Sequence, residues 1–427
     1  MMKYAKQKKI VQSVVAALAV LGAGAAAAAG FQLLEQNGSG LGNAYAGSAA
    51  VAENASTIFY NPAGMTQLKG LQISGGEAIV KASYKFQDNG SSSGAFTGTG
   101  NGANGGTTGR VPNFYLSSEL GKGFYGGFGV GAPFGLKTAY EVPWAGAAQS
   151  TLFQIQTMNI NPSLAYKVND KLSLGFGLDY QTMDVDYQRM ASTTPAFSLS
   201  SDSVALGASG EAWGWNTGIL FQASDSMKLG FSYRSRMKYH LTGNLQASGP
   251  TAALLAGNIG NASADITLPD TFIFSVTQKL GDKWEMLGDI SRTRWSSVQD
   301  VDIKLDKSPT PAQTLVAHFR DTWRVALGSN YSLNDAWKIK TGIGYDQGVA
   351  KGADYRLVSL PDNDRLWLSL GTQWKVNQAF ALDVGGSYLK VRNAGIYNDQ
   401  TATSRGLVNG SYKGHIWILG AQGTYTF

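Results

Sequence analysis

The 427-residue chain has no cysteine, 54 glycines and 47 aromatic residues, and only 15% of it is charged. The missing thiols exclude a disulfide framework, a zinc–thiolate centre and a thiol nucleophile. Four of the 35 basic residues (Lys3, Lys6, Lys8 and Lys9) precede the first acid, and removing them takes the formal charge from +6 to +2, which gives no reason to expect a nucleic-acid partner.

Those lysines open the first element. An apolar run from Ile10 to about Leu21 follows, then small residues ending in Ala26-Ala27-Ala28. Basic, apolar and small-residue parts in that order predict a cleaved export signal over residues 1–28, cut near Ala28/Ala29. No later apolar run is long enough for a membrane-crossing helix. An exported, glycine-rich, aromatic, weakly charged chain without such helices fits a bacterial outer-membrane β-barrel.

Residues 29–70 are small-residue-rich and moderately apolar, and they contain Asn61-Pro62-Ala63-Gly64 between Ile58-Phe59-Tyr60 and Met65. Proline and glycine stop regular structure there, yet the flanks are apolar. The segment is expected to act as a plug inside the strands formed by the rest of the chain.

From residue 71 the hydrophobic period is two. In Lys171–Gln181, Leu172, Leu174, Phe176, Leu178 and Tyr180 share one face; Ser173, Gly175, Gly177, Asp179 and Gln181 share the other. That is a strand between two media. The alternation predicts fourteen strands, at 71–86, 110–120, 124–136, 152–168, 171–189, 211–224, 227–243, 264–280, 283–297, 319–332, 336–349, 364–376, 379–392 and 411–427. Short turns such as Asn169-Asp170 and Asn334-Asp335 alternate with long polar stretches near 87–109, 132–150, 190–210, 244–261, 298–318, 350–363 and 393–409. An even strand count with short turns at one end and long loops at the other is the asymmetry of an outer-membrane barrel. Aromatic residues near strand ends (Tyr180, Trp284, Trp295, Trp337, Trp374, Trp417) suit interfacial girdles, and Tyr425 and Phe427 close an aromatic terminal strand of the kind the barrel-insertion machinery recognises. The outward faces imply contact with outer-membrane lipid and lipopolysaccharide. The fold expected is therefore all-β: a 14-stranded antiparallel transmembrane β-barrel over 71–427, plugged by an N-terminal hatch, because fourteen strands enclose more space than their own side chains fill.

The third strand, Phe124–Leu136, holds five glycines, Gly129 and Gly131 among them, and Pro133. Proline cannot donate to a sheet ladder and glycine permits bends, so a kink or an early stop is expected there.

Several stretches together resemble the FadL family of outer-membrane long-chain fatty-acid transport proteins: Ala29–Leu33, Gly40–Gly47, Asn61-Pro62-Ala63, Gly214–Leu220, Tyr233-Arg234-Ser235, Leu268-Pro269-Asp270, Asp321–Gly328 and Ser359–Trp367. They span the mature chain in family order. The resemblance implies passive uptake of long-chain fatty acids or related hydrophobic molecules. It also implies lateral release through an opening at the kinked third strand, around Gly129, Gly131 and Pro133. A fatty acid needs an apolar tunnel for its tail and a cation for its carboxylate. Arg189 and Arg320 match the family's basic ligand-binding positions, although the family has lysine at the second, and Phe31 matches its N-terminal aromatic. The alternative for each arginine is a lumen pairing with an inward acid, and for Phe31 it is ordinary packing of the hatch. Phe197, Leu199, Leu254 and Leu255 place apolar groups in long outer loops, either to capture ligand or to form small loop cores.

Other motifs lack context. Gly90–Gly94 and Gly100–Gly105 fit hydrolase and dinucleotide patterns, but lie in a polar loop with no following helix. His240, His318 and His415 have no metal-ligand or triad spacing. No cofactor, metal or enzymatic activity is expected. The alternatives are uptake of neutral aromatic hydrocarbons on the same fold, an open diffusion porin and an outer-membrane phospholipase.

Overall fold

The structure, a computed structural model, describes residues 30–192, 194, 201–250 and 252–427. The expected export signal and the loop residues Phe197 and Leu199 lie outside the described residues. The chain forms one closed antiparallel barrel of 14 strands. Nine are continuous: β1 (Leu71–Asp88), β2 (Thr108–Gly121), β4 (Leu152–Lys167), β5 (Leu172–Met190), β6 (Ser203–Gln222), β11 (Trp337–Asp346), β12 (Arg365–Lys375), β13 (Phe380–Gln400) and β14 (Gly406–Thr426). Five are interrupted: β3 (Phe124–Gly131 and Gly135–Ala139), β7 (Met227–Arg234 and Met237–Ser248), β8 (Gly260–Leu268 and Thr271–Leu280), β9 (Trp284–Thr293 and Asp300–Leu305) and β10 (Pro311–Val316 and Thr322–Ser332). The last strand closes on the first, from Gln72↔Thr426 to Asp88↔Gly410, which removes the free edge an open sheet would have there.

The residue pattern is inside out relative to a water-soluble protein. Leu174, Phe176 and Leu178 are 43%, 47% and 48% exposed, whereas Asp179 on the other face is 1% exposed. A wall that shows its apolar side chains outward and buries its polar ones is in contact with hydrocarbon. Trp284, Trp337, Trp374 and Trp417 are exposed on that outer surface, with Trp337 and Trp374 stacked 5.4 Å apart. Trp295 is the exception to the girdle expectation. It is fully buried among Phe31, Phe134 and Phe319, because β9 stops at Thr293 and a short turn over Trp295–Ser297 points the ring inward.

The six short turns fall where expected, but four of the long loops do not remain loops. Strand pairing continues through much of 190–210, 244–261, 298–318 and 393–409, out to Met190↔Ser203, Leu245↔Gly260, Lys304↔Pro311 and Gln400↔Gly406. Backbone hydrogen bonding persists there after the apolar face has ended. The bends in β7, β8 and β9 meet at Asp270, a fully buried carboxylate. It accepts bonds from Arg236 Nε (3.0 Å), Tyr233 OH (3.2 Å) and Arg294 Nε (2.9 Å).

Residues 30–68 are mostly buried against inward-facing positions of the wall. Asn61 Nδ2 donates to Ala49 O (2.6 Å) and Ile219 O (3.0 Å), and its Oδ1 accepts from Ala63 N (3.1 Å), capping the short helical turn Pro62–Gln67. Close approach dictates the wall composition opposite. A Cβ on Gly218 would sit 1.9 Å from Asn61 Oδ1, and one on Gly175 would sit 2.2 Å from Ala63 N. Further round, buried Lys340 donates to Ser39 O (3.0 Å) and pairs with Glu53 (2.5 Å) and Asp383 (2.9 Å), while Lys338 also reaches Glu53 (3.2 Å). Burial alone would raise the Glu53 carboxyl, but Lys340 and Lys338 hold it well below the ordinary carboxylate range.

Candidate functional site

Two cavities meet at the outer end of the barrel. The inner one, about 80 Å³, is lined by Phe31, Phe153, Ile155, Met183, Leu241, Ile266, Val298, Ile303, Phe319 and other apolar groups. Several of these come from the same alternating strands that bury polar groups lower down, with apolar residues here taking the inward positions. The outer cavity, about 720 Å³, is lined by Arg189 and Arg405 together with Val204, Leu245, Leu255, Ala312 and Leu357. Leu357 borders both. The partition is a polar relay: Arg189 Nε donates to Gln313 Oε1 (3.2 Å), Gln313 Nε2 donates to Tyr187 OH (3.0 Å), and Tyr187 OH donates to Gln149 O (2.5 Å).

Arg189 ends β5 and is 9% exposed, with its Nη1 on the carbonyls of Met190 (3.0 Å) and Ala191 (2.8 Å). Arg405, at the end of the loop joining β13 to β14, is 7% exposed, and burial pushes its guanidinium below the ordinary value. Arg320 is placed differently. Its Nε donates to Gly348 O (2.9 Å), its Nη2 pairs with Asp364 (3.3 Å), and it lines neither cavity. Arg189 and Arg320 are thus not brought together, and Arg320 has the acid partner of the alternative reading. Leu255 borders the outer cavity, whereas Leu254 projects away at 65% exposed.

Phe31 closes the inner cavity and packs edge-on against Trp295 (4.8 Å) and Phe134 (6.0 Å). Its backbone joins the break in β3. Gly135 N donates to Phe31 O (2.8 Å), Leu33 N donates to Pro133 O (2.7 Å), and the Gln36 side chain bonds both Ala132 N (3.1 Å) and Ala132 O (2.8 Å). The residues after Phe31 therefore satisfy backbone groups that Pro133 and the bend leave without a sheet partner. On the other side, pairing of β2 with β3 stops at Phe114↔Val130. The amide of Asn113, buried at that point, has no hydrogen-bond partner among the described residues. Gly129 faces the Tyr115 ring, and Gly131 faces the Gln36 amide. Phe31, Gly131 and Pro133, far apart in sequence, form one region. A third, polar space of about 50 Å³ lies between residues 32–60 and the wall, beside Arg234, Asp289, Arg324 and Asp346.

Sequence reasoning missed Arg405, Gln313, Leu357 and the inward role of Trp295. Arg405 stands in a polar loop where a basic residue carries no signature. Around Trp295 the chain reads Arg292-Thr293-Arg294-Trp295-Ser296-Ser297, which breaks the period-two pattern just where Trp295 turns in, and that lapse was the available signal. Among the described residues no cluster of acids and histidines is arranged to hold a metal.

A family model described as outer membrane protein transport protein (OMPP1/FadL/TodX) matches residues 19–427. The long-chain fatty acid transport protein of Escherichia coli O6:H1 (strain CFT073) is 30% identical, over 93% of this chain and 94% of its own. Outer membrane protein P1 of Haemophilus influenzae (strain Rd) is 29% identical, over 98% of this chain and all of its own. Among solved structures, a Pseudomonas aeruginosa FadL homologue superposes with a TM-score of 0.85 at 22% identity, covering 93% of this chain and 99% of its own. The Ralstonia pickettii toluene transporter TbuX gives a TM-score of 0.64 at 16% identity, covering 92% and 100%.

Proposed function

The chain belongs to the outer membrane protein transport family (OMPP1/FadL/TodX), and from that premise we propose that it carries long-chain fatty acids passively across the outer membrane in which it sits. The observation that carries the reading is the junction of three features. A wide outer cavity contains buried Arg189, a purely hydrophobic cavity lies beneath it, and Phe31 at its floor is bonded through the backbone to the interrupted third strand.

In mechanism, the outer loops collect the amphiphile and Arg189 takes its carboxylate, replacing lost hydration with charge-assisted bonds. The tail displaces no bonded polar group in the inner cavity, so its burial is favourable at roughly 0.8 kcal/mol per methylene. Residues 29–70 act as the hatch. Movement of Phe31 withdraws the backbone partners of Pro133 and Gly135, and opens the wall at Gly129, Gly131 and Pro133 towards the membrane. Asn61-Pro62-Ala63-Gly64 is the fixed pivot of that movement, held on β5 and β6 at Gly175 and Gly218. The exposed apolar band meets lipid and lipopolysaccharide, and the Tyr425–Phe427 end serves insertion.

Mass spectrometry of ligand co-extracted with the barrel, followed by competition of oleate against toluene, tests the reading. Recovery of fatty acid and preference for oleate support it; preference for toluene favours the neutral-hydrocarbon alternative, which the polar-free inner cavity alone would satisfy.

A further inference from the structure

We infer that Arg405 is a second head-group residue, forming with Arg189 a two-guanidinium clamp in the outer cavity for the single carboxylate of an amphiphile whose tail points into the barrel. The inference rests on the transport reading and adds to it a residue and an orientation.

Both arginines are more than nine-tenths buried and line the same cavity of about 720 Å³. The segments that carry them touch: Ser192 Oγ donates to Ser404 O at 3.3 Å. Neither forms an ion pair among the described residues. Arg189 is bonded to an amide oxygen and two backbone carbonyls, and among the described residues the Arg405 side chain reaches Gln400 Oε1, at 3.5 Å. Of the other buried cations, Lys340 and Arg365 each have a carboxylate, whereas Arg356, like Arg189, is bonded to backbone carbonyls. The two acids on the same cavity, Asp354 and Asp399, stand exposed at its rim, and Asp399 is occupied by Thr401 N (2.9 Å) and Thr401 Oγ1 (2.7 Å). Two buried like charges without a counter-ion are unfavourable, and an entering anion removes that cost. A carboxylate offers one oxygen to each planar fork. A neutral hydrocarbon leaves both charges uncompensated. Orientation follows from the cavity order: the arginines stand at the outer side of Gln313 and Tyr187, and the apolar cavity lies at the inner side. The tail therefore leads and the head trails.

The test is equilibrium binding of oleate and methyl oleate to the detergent-extracted, full-length barrel, as wild type, Arg405→Gln and Arg405→Lys. Loss of one charge-assisted contact weakens oleate about tenfold or more. Methyl oleate, which carries no charge, changes less than threefold in Arg405→Gln, and Arg405→Lys recovers part of the oleate affinity. The clamp is overturned if Arg405→Gln binds oleate within threefold of wild type, or loses both ligands equally as a misfolded loop would. It is also overturned if wild type binds oleate no tighter than its ester, a result that leaves the transport reading intact. Wild type binding neither ligand defeats the transport reading itself, and the clamp with it.

Discussion

Asn61→Ala is expected to release the turn at Asn61–Gly64 from the wall while the barrel stays folded. The side chain is completely buried and makes three bonds, at 2.6 Å to Ala49 O, 3.0 Å to Ile219 O and 3.1 Å from Ala63 N. Alanine removes all three and leaves their partners at Ala49 and Ala63 buried. Each buried group left unsatisfied costs about 1–3 kcal/mol. The Ile219 carbonyl stays in contact with its strand neighbours and sits at the low end, so the sum is about 3–7 kcal/mol against docking. At roughly 1.4 kcal/mol per decade, local opening rises by about two to five orders of magnitude. Amide hydrogen exchange of the extracted barrel reads this directly. Ala63, Gly64 and Leu68 should lose protection by that factor, while Gly175 and Gly218 in the wall keep theirs. Gly218→Ala attacks the same contact from the opposite side, since its Cβ would lie 1.9 Å from Asn61 Oδ1, and should give the same pattern. Unchanged protection at Ala63 in both variants would refute the idea that this contact anchors the segment. Pro62→Ala, which keeps the Asn61 bonds, should impair uptake more than equilibrium binding; equal loss of both points to a direct ligand contact instead.

Three further outcomes rest on the same geometry. Burial pushes the Glu35 carboxyl up to about 7, with Arg365 and Arg324 only partly offsetting it. The folded state therefore holds a proton between about pH 4.5 and 7 that the unfolded chain has released, and docking of the segment weakens by about 3 kcal/mol as pH rises through that window; Glu35→Gln should flatten the pH dependence of its exchange rates. Arg189→Gln should weaken oleate about tenfold, whereas Arg320→Gln, which breaks only the Asp364 pair and the Gly348 contact, should leave affinity within about threefold in the same assay. Gly131→Val with Pro133→Val places bulk within 2.4 Å of Gln36 Oε1 and restores a donor to the ladder. Fatty-acid uptake by cells should fall while binding persists, and undiminished uptake would rule out exit at this point.

The membrane explains which parts of this molecule were legible in its sequence. Between hydrocarbon and a polar lumen, every second residue is constrained, so β5 could be read from Leu174, Phe176 and Leu178 against Ser173 and Asp179 without any tertiary knowledge. The short turns were legible for the related reason that a two-residue link between paired strands demands residues such as Asn169-Asp170. Beyond the hydrocarbon the constraint on side chains lapses, but the backbone still needs partners, so Ser203–Gly210, Asn244–Ser248 and Asp300–Leu305 remain paired while looking like loops. The ligand cavities sit in that outer region. Arg189 could be placed because it ends a legible strand. Arg405 could not, because only the closure of β13 on β14 brings it beside Arg189. The pairing of Arg320 with Asp364 spans 44 residues and depends on the bend of β10. Trp295 shows the same limit in one residue, since a tryptophan at a strand end serves a girdle or a core equally well, and the broken register of β9 decides between them. Fold and site therefore differ in legibility for a physical cause: the bilayer dictates the wall residue by residue, and it dictates nothing about the region where a hydrophobic molecule is first held.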